Sequence, residues 1–188
     1  MDLLKQAILD QGIIINENIL KVDAILNHQI DPLLMDAIAQ SFYEYFKEKG
    51  ITRVITIESS GIAPALLCAL KLNVPLTFLK KDVPSTMRQP LTATVTSFTK
   101  NKTYTLCADA SYIHKTDRVL FIDDFLANGE AFKGAEDLII QVGATIIGIG
   151  IVIDKAFQSG KAYIKEKGYD YHCLASIASM KKNAIEFI

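Results

Sequence analysis

The chain has 188 residues, half of them hydrophobic and 22% charged, enough for one well-cored domain and hardly for two. Twenty lysines and arginines against twenty-one aspartates and glutamates leave a net charge of −1, which excludes bulk electrostatic binding to nucleic acid or to an anionic membrane surface. Three scattered cysteines, Cys68, Cys107 and Cys173, predict buried reduced thiols, and the distant His28, His114 and His172 show no zinc-ligand spacing.

The opening run MDLLKQAILDQGIII is expected to form a short helix rather than a signal peptide. Leu3, Leu4, Ala7 and Ile8 share one helical face, and Asp10 and Gln11 interrupt the apolar run. Asp31-Pro32 predicts a helix start, with Met35, Ile38, Ala39, Phe42 and Phe46 at helical spacing and Gly50 as the stop. Residues 53–57, Arg-Val-Ile-Thr-Ile, read as a buried strand, Ser59-Ser60-Gly61 as a turn, and 62–72 as a second helix. A strand follows at 74–79. From Lys80 to about Lys102 the chain turns polar and rich in threonine. Thr94, Thr96 and Phe98 alternate there with Val95 and Ser97, which predicts an extended hairpin. Residues 118–123 form another buried strand, followed by a turn and a helix to about Val142. The run 144–153 is apolar on both faces and about half as long as a membrane helix, so it predicts a strand covered by helices. Residues 179–188 carry no pattern that predicts an element. Strand and helix alternating in this way predict an α/β fold, with a mainly parallel sheet flanked by helices in one domain over 1–188.

In such sheets ligands bind beyond the carboxyl ends of the strands, which singles out the loops after Ile57, Ile122 and Ile153. The second is the richest: Val119-Leu-Phe-Ile-Asp-Asp-Phe-Leu-Ala-Asn-Gly-Glu-Ala131. From the residues alone, Asp123 and Asp124 are either a solvated strand end with a helix cap or a pair that accepts hydrogen bonds from vicinal hydroxyls. An apolar strand ending in two charges needs compensation, and Asn128-Gly129 permits backbone angles that aim successive amides at one anion. Ser59-Ser60-Gly61 is likewise either an ordinary strand-to-helix turn or an anion-binding loop.

The segment 119–131 resembles the substrate-binding motif of the type I phosphoribosyltransferases: a hydrophobic run, two acids, then a small-residue loop. The runs Asn-His-Gln-Ile-Asp-Pro-Leu-Leu at 27–34, Glu-Ser-Ser-Gly-Ile-Ala-Pro at 58–64 and Gly-Ile-Gly-Ile-Val-Ile at 148–153 extend the resemblance over roughly residues 20–168, toward bacterial members that act on xanthine. The resemblance implies a type I fold with a mobile hood at about 80–104. It also implies purine salvage: 5-phosphoribosyl 1-pyrophosphate and xanthine give xanthosine 5'-monophosphate and pyrophosphate. Asp123 and Asp124 would hold the ribose 2- and 3-hydroxyls, and Ala127, Asn128, Gly129, Glu130 and Ala131 the 5-phosphate. Ser59, Ser60 and Gly61 would receive pyrophosphate.

A carboxylate facing phosphate would be repelled by on the order of several kcal/mol, so the Glu130 side chain is expected to point to solvent. Of Lys80, Lys81 and Arg88, Lys81 is the first candidate to neutralise the departing pyrophosphate. Lys155 would donate to the purine 6-oxygen, with Leu20 and Asn27 also at the base; Phe157 is either a stacking ring or a core aromatic. Magnesium would arrive on the phosphoribosyl donor, with no metal site from the protein alone. A cytoplasmic homodimer is implied, with neither nucleic acid nor membrane as partner. The alternatives are a hypoxanthine–guanine transferase and a phosphoribosyl pyrophosphate sensor without catalysis. The chain has no basic helix or spare length for the DNA-binding domain such sensors append.

Overall fold

The computed structural model describes residues 1–97, 102–182 and 184–188. Helix α1 (Asp2–Gln11) turns Leu4 and Ile8 inward and leads into an antiparallel hairpin of β1 (Ile13–Asn16) and β2 (Ile19–Lys21). A single π-helical turn, Asp23–Asn27, follows. Helix α2 (Pro32–Phe46) begins as Asp31-Pro32 predicts. The Asp31 carboxylate accepts from the N–H of Leu33 at 2.9 Å and of Leu34 at 3.2 Å, and Pro32 sits where an N–H would have no helical partner.

The chain then gives β3 (Arg53–Ile57), α3 (Ile62–Leu72) and β4 (Leu76–Leu79), followed by a hairpin of β5 (Pro90–Ser97) and β6 (Lys102–Asp109). It continues with β7 (Arg118–Leu126), α4 (Glu130–Val142), β8 (Thr145–Lys155), α5 (Gly160–Glu166), β9 (Tyr171–Lys181) and β10 (Ala184–Phe187).

The central sheet runs β10-β9-β8-β7-β3-β4, parallel throughout except for β10. From β3 the chain steps outward to β4, then returns to β7 and proceeds the other way to β8 and β9. The order therefore reverses between β3 and β7, and a crevice opens at their carboxyl ends. Helices α1, α2 and α3 cover one face, with Phe42 and Phe46 wholly buried. Helix α4, Ile164 of α5 and the β5–β6 hairpin cover the other, around Phe121 and Phe132. Each such side chain contributes about 1.5–3 kcal/mol by leaving water. No described helix is long and apolar enough to cross a membrane.

Several expectations shift. The paired strands of the hairpin span 90–109, later than the polar run from Lys80 to about Lys102 that predicts it, and Phe98 lies outside the described residues. Its foot is tied by reciprocal backbone hydrogen bonds between Lys80 and Cys107, at 2.9 and 2.8 Å. Strand β7 continues through Asp123 and Asp124 to Leu126, because its pairing with β8 persists to Leu126 opposite Asp154. The acids thus lie within the strand, not at its end. Helix α5 and strands β9 and β10 had no predicted counterpart. β10 has no continuous apolar run, only alternate half-buried residues on an edge, and it forms through pairing with β9. Cys68 and Cys107 are buried; Cys173 is partly exposed.

Candidate active site

Asp123 stands at the floor of the crevice, 8% exposed. Its Oδ1 accepts the Asp124 N–H at 3.0 Å, and Asp124 Oδ1 accepts the Phe125 N–H at 2.9 Å. Burial, and then the charge of Asp124, push the Asp123 carboxyl well above the ordinary carboxylate range. Burial also raises Asp124. The Lys81 ammonium opposes both shifts.

The loop after β3 lies directly against Asp123. A methyl group on Gly61 would stand 2.2 Å from Thr56 Oγ1 and 2.8 Å from Asp123 Oδ1, so only glycine fits there. Ser59 is exposed and Ser60 half-buried in the turn that opens α3, and the Glu58–Ser59 peptide is cis. The Glu58 carboxylate accepts the Lys81 N–H at 2.8 Å, which ties this turn to the segment leading into the hairpin.

On the other side, Ala127 to Ala131 curl into the start of α4. Gly129 is left-handed at φ +84, and no side chain caps the helix, so its first amides face outward as an anion site requires. The loop is backed by α5. The Gly160 N–H donates to the Ala127 carbonyl at 3.0 Å, and Ser159 Oγ to the Asn128 carbonyl at 3.4 Å. A methyl on Gly160 would fall 2.5 Å from the Ala127 carbonyl oxygen and 2.9 Å from the Gly129 nitrogen. In front lies a cavity of about 140 Å³, lined among others by Asp123, Phe125, Asn128, Glu130 and, from the hairpin, Val95 and Tyr104.

The Glu130 carboxylate does not turn to open solvent as expected. It is partly buried and neutralised by Lys133, 2.7 Å away one helical turn on.

Lys155, at the end of β8, donates to the Asn18 carbonyl at 2.6 Å and lies 5.5 Å from the Phe125 ring centre. Burial lowers its pKa. The structure therefore brings Lys155 to the β1–β2 turn. Leu20, in that hairpin, points into the core at 6% exposure. Asn27 is exposed at the end of the π-helical turn, with no hydrogen bond among the described residues joining it to Lys155. Phe157 is 41% exposed and borders a cavity with Asn16, Asn18 and Asn128, which removes the core reading. Lys80 lies over the Phe78 ring, and the Arg88 backbone is tied to Asp109 at the hairpin foot.

Sequence reasoning missed Thr56, Phe125, Gly160 and the Asn18 carbonyl. A lone hydroxyl in the apolar 53–57 run was a signal for Thr56, and Ser159-Gly160 was one for a helix start. The Asn18 carbonyl, a backbone group, had none. Among the described residues no group of three or more His, Cys, Asp or Glu side chains is arranged to hold a metal.

A sequence profile of the phosphoribosyl transferase domain matches residues 21–187. The chain is 49% identical over 189 residues to the xanthine phosphoribosyltransferase of Stutzerimonas stutzeri (strain A1501), with all of both chains covered. Identity and coverage are the same for the xanthine phosphoribosyltransferase of Clostridium acetobutylicum. Among solved structures it is similar to the adenine phosphoribosyltransferase of Rhodothermus marinus, with a TM-score of 0.76 at 20% identity over 94% of this chain and 99% of that one. At that identity the likeness concerns the fold, and the fold is the expected one.

Proposed function

The chain belongs to the phosphoribosyl transferase domain family, and from that premise we propose that it transfers the phosphoribosyl unit of 5-phosphoribosyl 1-pyrophosphate to xanthine, forming xanthosine 5'-monophosphate and pyrophosphate. One observation carries the reading beyond the family. The acid pair, the Ser59–Gly61 turn and the uncapped start of α4 converge on a single crevice, with Lys155 at its edge.

Asp123 and Asp124 accept from the ribose 2- and 3-hydroxyls. Ionised, they also oppose the positive charge that grows on the sugar as pyrophosphate leaves. The amides of 127–131 hold the 5-phosphate. Ser59, Ser60 and Gly61 receive the pyrophosphate, and Lys81 offsets its charge. Lys155 releases the Asn18 carbonyl and donates to the purine 6-oxygen; that preference disfavours adenine, whose 6-amino group is itself a donor. Asn27 and the Leu20 hairpin border the 2-position. The hairpin, which already contributes Val95 and Tyr104 to the cavity, keeps water from the reacting carbon.

Two adjacent carboxyls whose ionisation is opposed by burial and, at Asp123, by the charge of Asp124 suit a divalent cation shared with the substrate. Asp123 and Asp124 would face magnesium carried by the donor, which neutralises charge on the leaving group. Exposed Leu66 and Leu70 on α3 and Phe78 on edge strand β4 support a homodimer, and free thiols at Cys68, Cys107 and Cys173 support a reducing, cytoplasmic setting.

The test is initial rates with the donor, magnesium and each of xanthine, guanine, hypoxanthine and adenine. Xanthine should give the largest kcat/KM, with one pyrophosphate released per turnover. Faster turnover of guanine or hypoxanthine would reassign the base, and no turnover of any base would remove the enzymatic reading.

A further inference from the structure

Thr56 is the one hydroxyl in the otherwise apolar centre of β3, and it is completely buried. Its Oγ1 has no hydrogen-bond partner among the described residues. Buried hydroxyls are almost always paired, and valine would fill the same space on a strand without the unmet donor. The exception therefore needs a reason, and such exceptions gather at functional sites.

The hydroxyl stands beside Asp123 across Gly61. The point where a Gly61 methyl would sit is in contact with both Thr56 Oγ1 and Asp123 Oδ1, at 2.2 and 2.8 Å. The absence of a side chain at Gly61 keeps the space between the two oxygens open. Asp123 has acceptor capacity to spare, since the hydrogen bond described for it comes from the Asp124 N–H. A spare donor and a spare acceptor thus face the same gap, under the turn assigned to pyrophosphate.

We propose that Thr56 is a positioning residue whose hydroxyl donates to the Asp123 carboxylate when the phosphoribosyl donor is bound, fixing that carboxylate toward the ribose hydroxyls. The proposal rests on the reading of Asp123 as the diol acceptor.

Three variants of the full chain test it: Thr56→Val, Thr56→Ser and Asp123→Asn, each with a thermal melt and with KM and kcat for both substrates. Thr56→Val should melt at or above the wild-type temperature, because it removes an unpaired buried hydroxyl at constant shape. Its kcat/KM for the donor should fall about ten- to hundredfold, the loss of one hydrogen bond to a charged group, while the KM for xanthine stays in place. Thr56→Ser should melt lower, having lost a buried methyl, yet recover most of kcat/KM. Stability and activity then rank the two variants in opposite order, which a purely structural threonine cannot produce. Wild-type kcat/KM in Thr56→Val, a Thr56→Val protein less stable than Thr56→Ser, or equal impairment of the two variants overturns the proposal. Asp123→Asn separates the levels: if it is impaired while Thr56→Val is not, only the role of Thr56 falls. If Asp123→Asn is fully active, the diol reading falls with it.

Discussion

The end of the crevice proposed for phosphate and the end proposed for the base are made of different materials. At the first, the groups proposed to bind are backbone amides, held from behind by α5. That short helix is pinned by two buried carboxylates. Glu136 accepts from the hydroxyls of Tyr163 and, at 2.6 Å, Tyr169. Asp154, wholly buried, accepts from Tyr171 at 2.6 Å and Ser176 at 2.5 Å and pairs with Lys161 at 3.2 Å. Burial, then the Glu136 hydrogen bond, push the Tyr163 hydroxyl up to about 12 and raise Tyr169 further, so both stay donors at any physiological pH.

At the second, the proposed groups are side chains, Lys155 and Asn27, beside the β1–β2 hairpin. An end built from backbone tolerates little change except in the side chains it excludes. One built from side chains can change its ligand while the fold stays as it is.

The largest effect should come from Asp123 at the crevice floor. Asp123→Asn is expected to lower turnover about a hundredfold or more, while the fold survives. Without substrate it should also melt higher than wild type at neutral pH. The folded carboxyl pKa is raised, so the stability carried by its protonated form is complete below the ordinary value of about 4 and is lost as pH rises through the elevated pKa. Melts across this range should show the wild type closing the gap as pH falls; a gap that stays constant would remove the buried charge as its cause.

Gly160→Ala breaks the phosphate end alone. Its methyl displaces the Ala127 carbonyl or the Gly129 amide, and the KM for the phosphoribosyl donor should rise about ten- to hundredfold with that for xanthine unmoved. An equal rise in both would mean that the two ends are one part. Smaller still, Lys155→Met should raise the KM for xanthine about tenfold and leave the donor's in place. A change in donor KM would show that Lys155 also serves the phosphate side.

The same contrast governs what the sequence could tell. Asp123, Asp124 and the Asn128-Gly129 turn stood out as candidates because a polar cluster following an apolar run is local in the sequence, while the residues alone left a solvated strand end equally open. Gly61 was legible as a turn, but the hydroxyl and carboxylate it touches come from strands far apart in the chain. The buttress at Gly160 depends on a helix too short to show periodicity, and the bond from Lys155 goes to a backbone carbonyl, which no residue type announces. Asn27 was named from resemblance, and the structure leaves its side chain exposed.

The reversal of strand order between β3 and β7 also bears on how the chain folds. Arg53 pairs in register with Val119, and the Arg53 guanidinium meets Asp117 at 2.6 Å, so this seam joins residues more than sixty positions apart. Closing so long a loop costs entropy before any contact repays it, and parallel pairings of this kind slow folding. The crevice exists only once that seam has zipped. Recovery of activity after dilution from denaturant should accordingly keep time with the last cooperative step of refolding, not with the earlier appearance of helix.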